Sequence, residues 1–297
     1  MRIICAGTPS TALPTFERLS QDHEVVAVLT RAPAPVGRKR VLTPSPVHQW
    51  AAERGIEVHT PEKLTGDLAG LLKVDAIAVV AYGLLVPAEL LDVPTHGWLN
   101  LHYSLLPAYR GAAPVQAAIA AGEDTTGLSI FRIEQGLDTG PVFASRETAI
   151  GARETAGELL ERLSQEGAEL FAQALEEIAA GLEPTEQTGE ASYAPRLTSG
   201  DARVDLDLPA AELDRIIRAY TPIPGAWATW DDQRVKIGPA EITENAPPPG
   251  HVDTSAKRPV LGTGEGGLVL DRIAPPGKGW MNAEDWARGV RSEIVWN

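Results

Sequence analysis

The sequence predicts an α/β domain with a mostly parallel sheet, followed by a small domain built as a β-barrel or sandwich. Three observations indicate this order. Short apolar runs alternate with helical patterns over about the first 180 of the 297 residues, which is typical of a parallel sheet covered on both faces. Residues 182–202 are polar and rich in glutamate. Short strands separated by turns follow, as in small barrels.

The elements of the first domain can be predicted in order along the chain. Apolar runs rich in β-branched residues predict buried strands, and amphipathic stretches between them predict helices. The predicted strands are Arg2–Ala6, Glu24–Thr30, Ala76–Ala81, Trp98–Leu101, Thr126–Ile133 and Pro141–Ile150, and the predicted helices begin with Thr11–Leu19 and Val47–Arg54.

A long helix follows the last of these strands. Thr155 and Glu158 have the Thr-x-x-Glu spacing of a capping box, and leucines after them repeat on one face until Gly181 and Pro184. Beyond the polar segment, Leu213, Ile216, Ile217 and Tyr220 mark one more amphipathic helix. The short strands predicted after it are Ala226–Trp230, Arg234–Ile237, Pro259–Gly262 and Leu268–Ile273.

Composition limits the environment and the partners. Cys5 is the only cysteine, so no disulfide forms within the chain, and its apolar neighbours predict burial. No apolar run approaches the roughly 20 residues needed to span a bilayer, and the N-terminus lacks a signal peptide pattern. We therefore expect a cytoplasmic protein with no membrane partner. We also expect it to act as a monomer.

The net charge of −14 argues against a polyanionic partner over most of the surface. Residues 31–40 are the exception, because this segment, RAPAPVGRKR, carries four basic residues and no acidic one. It is the first candidate for a local contact with nucleic acid. A solvated basic turn is the alternative interpretation of the same residues.

Several common kinds of site are disfavoured. The turn after the first strand has one glycine, Gly7, and no G-x-G-x-x-G dinucleotide fingerprint. The glycine-rich segment 262–267 leads into a strand, which indicates a hairpin loop. The six histidines are scattered without the spacing of a zinc site, so we expect no metal. No G-x-S-x-G nucleophile motif occurs.

Asn100 and His102 stand out because they end a predicted central strand. Ligands of open α/β sheets bind outside the carboxyl ends of the strands, and residues two apart lie on the same side of a strand. Two N–H donors aimed at one oxygen would form an oxyanion hole. Asp138, between Gly136 and Gly140 in another interstrand loop, could act as the proton acceptor for an acyl transfer to an amine.

The alternatives to this site are a structural histidine and an aspartate in an Asx turn. Two further observations enlarge the candidate set. The segment Ser104-Leu105-Leu106-Pro107 follows the strand directly, and Gly136-Leu137-Asp138-Thr139-Gly140 surrounds the aspartate. With Asn100-x-His102, these motifs resemble the 10-formyltetrahydrofolate-dependent formyltransferases.

The resemblance runs along the whole chain and is closest to the family members that act on charged tRNA. It includes AGTP at 6–9, GRKRVLTPSPV at 37–47, VVAYGLLVP at 79–87, RGAAPVQ at 110–116 and RAYTPIPGAW at 218–227. Tyr103 departs from the pattern, since glycine is more common there. The resemblance implies a Rossmann-like catalytic domain over residues 1–182, a linker over 183–202 and a barrel of oligonucleotide-binding type over 203–297.

The resemblance also implies roles for individual residues. Asn100, His102 and Asp138 take the catalytic positions. The folate co-substrate, 10-formyltetrahydrofolate, would contact two loops, formed by Ser104, Leu105, Leu106 and Pro107 and by Tyr82, Gly83, Leu84, Leu85 and Val86. Arg38 matches an arginine that contacts the acceptor stem, and Lys39 and Arg40 extend that basic loop. Arg215 and Arg218 lie off the apolar stripe of their helix and are further candidates for tRNA contacts.

The implied reaction transfers the formyl group to the α-amino group of methionyl initiator tRNA. Rival formylfolate enzymes act on sugar nucleotides or glycinamide ribonucleotide, or hydrolyse formyltetrahydrofolate. A non-catalytic RNA-binding protein is the rival from another class, because oligonucleotide-binding barrels often only bind. The set Asn100, His102 and Asp138 disfavours the binding protein, and the basic loop disfavours the glycinamide enzyme.

Overall fold

The computed structural model describes residues 1–37, 39–290 and 294–297, and the chain divides into two compact units. The first unit comprises residues 1–111, 126–148 and 160–193, and the second comprises residues 112–125, 149–159 and 194–297. Each unit is therefore assembled from separate stretches of sequence. The segment 183–202, which the sequence predicts to be a linker, contributes residues to both.

Helices are interspersed among the strands as far as Ala194. In chain order they are β1 (Arg2–Gly7), a 3-10 helix (Ser10–Ala12), α1 (Leu13–Asp22), β2 (Glu24–Leu29), β3 (Ala34–Val36), β4 (Val41–Thr43), α2 (Pro46–Glu53), β5 (Glu57–His59), a second 3-10 helix (Gly66–Gly70), β6 (Ala76–Val80), α3 (Ala88–Leu91), β7 (Trp98–His102), β8 (Arg110–Gly111), α4 (Pro114–Ala121), β9 (Thr125–Arg132), β10 (Val142–Ala149), α5 (Ala156–Ala179) and β11 (Tyr193–Ala194).

A seven-stranded sheet in the order β10-β9-β7-β6-β1-β2-β5 forms the centre of the first unit. The five strands from β7 to β5 are parallel, and β9 runs antiparallel to β7. All five residues of β6 are buried, which is why its sequence is a continuous apolar run rather than an alternating one. The predicted α/β fold with a mostly parallel sheet is confirmed.

The predicted capping box starts α5. The Thr155 backbone N–H donates to Glu158 Oε2 over 2.9 Å, and the Glu158 N–H donates to Thr155 Oγ1 over 3.3 Å. Gly181, with φ of +97°, follows the helix end, and its N–H donates to the Ile178 carbonyl. Both ends of α5 are therefore where the sequence predicts them.

Antiparallel strands form the sheets of the second unit. Its remaining elements are α6 (Ala210–Tyr220), β12 (Trp227–Trp230), β13 (Gln233–Ile237), β14 (Ala240–Thr243), β15 (Val252–Asp253), β16 (Val260–Gly262), β17 (Gly267–Leu270), β18 (Arg272–Ala274), β19 (Met281–Asn282) and α7 (Ala283–Ala287). They form two four-stranded sheets, in the orders β12-β13-β18-β19 and β14-β17-β16-β15. The strand-rich C-terminal fold is confirmed.

One predicted strand is divided in the structure. The sequence predicts a single strand over Leu268–Ile273, but the chain leaves β17 at Leu270 and enters β18 at Arg272. These two strands belong to different sheets. Asp271 lies at the change of sheet, so the run is apolar because both halves face the same core, which includes Leu268, Leu270 and Ile273.

The basic segment is not an irregular loop. Residues Ala34–Val36 and Val41–Thr43 pair as an antiparallel hairpin, with Val36 opposite Val41. The Arg40 N–H closes its turn by donating to the Gly37 carbonyl over 3.1 Å. Because β3 is exposed throughout and contains Pro35, neither burial nor alternation reveals it in the sequence.

Candidate active site

Asn100 and His102 lie at the carboxyl end of β7, in the interior of the large sheet. In the register, Asn100 lies opposite Val79 of β6, and His102 lies opposite Ser129 of β9. The two side chains share one face of the strand because they are two residues apart. His102 is only 5% exposed, and Asn100 is partly buried.

The Tyr109 carbonyl determines which ring nitrogen of His102 carries the proton. His102 Nε2–H donates to the Tyr109 carbonyl over 3.0 Å, and a carbonyl can only accept. The neutral ring therefore carries its proton on Nε2 and presents the lone pair of Nδ1. Burial lowers the pKa of His102 below its usual value, while Asp138 and the Tyr109 carbonyl act in the opposite direction.

Asp138 faces the free nitrogen of that ring. Its Oδ2 lies 3.8 Å from His102 Nδ1 and accepts a hydrogen bond of 2.7 Å from the Gly111 N–H. An Asx turn would instead use a backbone N–H two residues further on, so this carboxylate is held from outside its own loop. The distance from Oδ2 to Nδ1 is longer than that of a direct hydrogen bond. Both atoms can therefore interact with a proton carried by a bound substrate.

Glycines allow the Asp138 loop to pack tightly. A Cβ on Gly140 would lie 1.8 Å from the Arg132 carbonyl oxygen, so no other residue fits there without moving the backbone. Gly136 has φ of +122°, a conformation that favours glycine. Asp138 itself has φ of +51°, which is uncommon for a residue with a side chain.

The loop Ser104–Pro107 leaves β7 beside these residues. Ser104 is buried, and its hydroxyl donates to the Ala108 carbonyl. Ser129 braces the loop, because its hydroxyl donates to the Ser104 carbonyl and accepts from the Leu106 N–H. The Ser104 side chain thus stabilises the turn, while Leu105, Leu106 and Pro107 are partly exposed.

The second predicted folate loop, Tyr82–Val86, follows β6. Parallel neighbouring strands end at the same edge of a sheet, so this loop and the end of β7 lie at one edge. Leu85 is 91% exposed, and Gly83 is exposed with φ of +78°. Tyr82 is buried, and burial raises its pKa to about 12.

The predicted tRNA contacts fall in different surroundings. Lys39 and Arg40 are exposed at the end of the β3–β4 hairpin, whereas Arg38 lies outside the described residues. Arg218 is only 7% exposed, and its Nε donates to Asp214 over 2.8 Å. Arg215 is partly buried, with its Cδ against Gly122. Arg218 therefore has little of its guanidinium left for a phosphate.

Backbone groups of the site were not predicted from the sequence. The Tyr109 carbonyl and the Gly111 N–H hold His102 and Asp138, and backbone groups leave no signature in residue type. Tyr109 has φ of +57°, again without a glycine to indicate it. Tyr103, the residue that departs from the family pattern, is buried and donates from its hydroxyl to the Thr11 carbonyl over 3.3 Å.

No helix within the described ranges is both long and apolar enough to cross a membrane. In the same ranges, no group of three or more His, Cys, Asp or Glu side chains is arranged to hold a metal ion. The absence of a metal from the reaction stays a prediction. Cys5 is buried as predicted, and burial raises the pKa of its thiol.

Two family profiles match this chain. The profile described as "Formyl transferase" matches residues 1–175, and "Formyl transferase, C-terminal domain" matches residues 196–291. Together they span both the parallel sheet and the strand-rich C-terminal part.

Individual proteins are similar over nearly the full length. The methionyl-tRNA formyltransferase of Paenarthrobacter aurescens strain TC1 is 50% identical, with 98% of this chain and 97% of that protein covered. That of Arthrobacter strain FB24 is 51% identical, with 97% of each chain covered. An N-formyltransferase of Helicobacter canadensis, solved with folinic acid and dTDP-3-aminofucose, shares the fold at a TM-score of 0.69 and 18% identity, covering 90% of this chain and 97% of that one.

Proposed function

We propose a formyl-transfer reaction for this protein, since the chain belongs to the formyl transferase family. The enzyme transfers a formyl group from 10-formyltetrahydrofolate to the α-amino group of methionyl initiator tRNA, for translation initiation. One observation of the site carries the proposal. Asn100, His102 and Asp138 converge at the end of β7, with 3.8 Å between His102 Nδ1 and Asp138 Oδ2.

The Asn100 side chain stabilises the developing oxyanion. As the amine nitrogen attacks the formyl carbon, negative charge develops on the formyl oxygen, and the Asn100 amide donates to it. In support, the Asn100 amide has no hydrogen-bond partner within the part of the chain that the structure describes. Its donors are therefore available to a bound substrate.

His102, assisted by Asp138, transfers a proton from the attacking amine to the leaving nitrogen N10. The lone pair of Nδ1 accepts the proton that the amine loses, and the Asp138 carboxylate stabilises the imidazolium that forms. This imidazolium also stabilises the oxyanion. When the bond between the formyl carbon and N10 breaks, the Nδ1 proton passes to N10, which leaves as tetrahydrofolate. His102 and Asp138 thus return to their starting protonation states.

The folate co-substrate binds along the edge where β6 and β7 end. The two loops Tyr82–Val86 and Ser104–Pro107 supply an apolar surface for it, and the 91% exposure of Leu85 supports this proposal. No metal takes part, because the carboxylate, the imidazole and the amide together cover proton transfer and charge stabilisation.

The charged tRNA is bound mainly through phosphates. Arg38, Lys39 and Arg40 of the basic segment contact the acceptor stem, and Arg215 is a further contact. Residues 1–182 form the catalytic domain, 183–202 the linker and 203–297 the tRNA-binding domain.

The protein acts in the cytoplasm as a monomer, and sedimentation equilibrium with and without tRNA tests that state.

An acceptor assay tests the function. The protein is incubated with formyl-labelled 10-formyltetrahydrofolate and one of three acceptors: charged initiator tRNA, charged elongator methionyl-tRNA, or an amino-sugar nucleotide. Label should pass to the initiator methionyl-tRNA much faster than to the other two. Transfer to the sugar nucleotide alone, or release of free formate without an acceptor, would contradict the proposal.

A further inference from the structure

A segment outside the predicted catalytic domain braces the active-site loops. Residues 185–192, here called the strap, run along the Asp138 loop and the turn after Pro107. At one end, Thr185 and Val142 exchange two backbone hydrogen bonds of 2.8 Å. At the other end, the Ser192 carbonyl accepts from the Arg110 N–H over 2.8 Å.

Gln187 of the strap uses its whole amide group to bridge the two loops. Its Nε2 donates to the Asp138 carbonyl over 2.8 Å and to the Gly140 carbonyl over 2.7 Å. Its Oε1 accepts from Arg110 Nη2 over 2.6 Å and from Arg110 Nε over 3.2 Å. Both amide hydrogens and both lone pairs of the oxygen are thus engaged.

The Gln187 contacts act at the point where the Asp138 loop needs support. Asp138 has φ of +51°, and strained backbone conformations of this kind persist only where the surroundings hold them. Gln187 holds the main chain of Asp138, while the Gly111 N–H, next in sequence to Arg110, holds its carboxylate. Main chain and side chain of Asp138 are therefore tied to the same short strand, β8.

The strap braces the histidine side of the site as well. Ser192 Oγ accepts from the Tyr109 N–H over 2.8 Å, and the Tyr109 carbonyl accepts from His102 Nε2. One segment thus fixes the positions of both partners of the proton-transferring pair.

We propose that Gln187 is a positioning residue for the transfer, setting the distance between Asp138 and His102 through the Asp138 main chain and Arg110. The proposal rests on the proposed catalytic role of Asp138. Gln187 touches neither substrate in this role. It acts by keeping the carboxylate facing Nδ1.

Two substitutions of similar length test the proposal. Gln187→Met removes all four hydrogen bonds, and Gln187→Glu keeps the acceptor for Arg110 but sets a carboxylate oxygen against the carbonyls of Asp138 and Gly140. Since a displacement of about 1 Å can cost 10²-fold in rate, we expect kcat to fall about 10- to 100-fold in both. KM for tRNA and for folate should stay within about twofold. The kcat of Gln187→Glu should be no higher than that of Gln187→Met, because losing the two N–H donors matters more than keeping the contact to Arg110.

The matched control is Gln173→Met, on the exposed face of α5, where the side chain donates to Glu177 Oε1 over 2.8 Å. It should keep wild-type kcat. Melting temperatures are measured for every variant, and kcat is taken well below them. Wild-type kcat in both Gln187 variants would overturn the positioning role. Wild-type kcat in Gln187→Glu alone would also overturn it.

Asp138→Asn separates this proposal from the function on which it rests. Turnover retained by Asp138→Asn would overturn the catalytic role of Asp138 itself. Loss of turnover in Asp138→Asn, together with unchanged kcat in both Gln187 variants, would overturn only the role of Gln187.

Discussion

At the scale of single residues, the direction of the Tyr109 carbonyl determines what His102 can do. Because that carbonyl accepts the hydrogen bond from Nε2–H, the neutral ring presents a base, not a donor, toward Asp138. Desolvation of the buried ring favours this neutral form. The residue therefore begins the reaction as a proton acceptor and becomes a donor only after the amine has given up its proton.

This arrangement predicts the titration of His102. Its pKa lies below the ordinary 6.5 because burial disfavours the imidazolium, so the neutral form should persist as the pH falls through 6.5. NMR titration of histidine-labelled protein should give a midpoint below 6.5 with the proton on Nε2. Asp138→Asn should lower the midpoint further, since the carboxylate raises this pKa, whereas the exposed Asp92→Asn should leave it unchanged. A midpoint above 7 would contradict the neutral starting state.

Asn100 should affect the rate rather than binding. Loss of one oxyanion-hole donor costs about 10²- to 10³-fold in kcat, so Asn100→Ala should lose that much while KM for folate changes little. Steady-state formylation kinetics measure both constants, and Asn245→Ala, exposed and remote in sequence, is the control. A kcat within about threefold of wild type would remove Asn100 from the reaction.

The sequence predicted Asn100, His102 and Asp138 because their side chains carry the chemistry and two of them share a strand face. It could not predict the Tyr109 carbonyl or the Gly111 N–H, since every residue has these groups. Gln187 was missed for a different reason: it follows Asp138 by 49 positions and only the fold brings them together. Tyr103 had no explanation in sequence terms, and its contact with Thr11 supplies one.

At the scale of elements, the tight packing of the Asp138 loop makes its glycines sensitive to substitution. Gly140→Ala would set a Cβ 1.8 Å from the Arg132 carbonyl, so the loop must move and carry Asp138 with it. We expect kcat to fall about 10²-fold. Gly70→Ala, where a Cβ meets nothing within 4 Å, is the control, measured in the same formylation assay. Unchanged kcat in Gly140→Ala would show that the loop tolerates displacement.

The hairpin β3–β4 allows a separate test of the tRNA contact. Lys39→Gln and Arg40→Gln should each raise KM for tRNA and reduce the slope of log affinity against log salt by about one. KM for folate should not change, because neither residue belongs to the two loops proposed to bind it, Tyr82–Val86 and Ser104–Pro107. The exposed Lys73→Gln is the control. An unaltered salt slope in the double variant would exclude the hairpin from the tRNA contact.

Elements differ in how far the sequence predicts them. β6 was predictable because burial on both faces leaves a continuous apolar run, and α5 because its cap has a defined spacing. The β3–β4 hairpin could not be predicted from the sequence, because its strands are exposed and one of them contains Pro35. The division of 268–273 between β17 and β18 was hidden because both strands face one core, so hydrophobicity alone does not mark the change of sheet.

At the scale of the whole molecule, the second unit is held together by residues distant in sequence. Asp214 of α6 binds Arg153 Nη1 through Oδ1 and Arg218 Nε through Oδ2, each over 2.8 Å. Arg153 also donates to the Ala240 carbonyl of β14, and Arg218 donates to the Glu154 carbonyl. One carboxylate therefore joins residues 149–159, α6 and β14. A boundary drawn from polar composition alone does not reveal such a connection.

This cluster makes Asp214 a point on which the stability of the second unit depends. Asp214 and Arg218 are both buried, and removing one partner of a buried ion pair costs about 3–5 kcal/mol, because the other charge is left uncompensated. Asp214→Ala should lower the free energy of unfolding by that amount, measured by urea denaturation. Formylation by the folded fraction at 20 °C should continue, since Asn100, His102 and Asp138 belong to the first unit.

The control is Asp271→Ala, which removes an exposed carboxylate 3.8 Å from Arg258. It should lower the free energy of unfolding by less than about 1 kcal/mol. Equal losses in the two variants would mean that the cluster contributes no more than a surface ion pair.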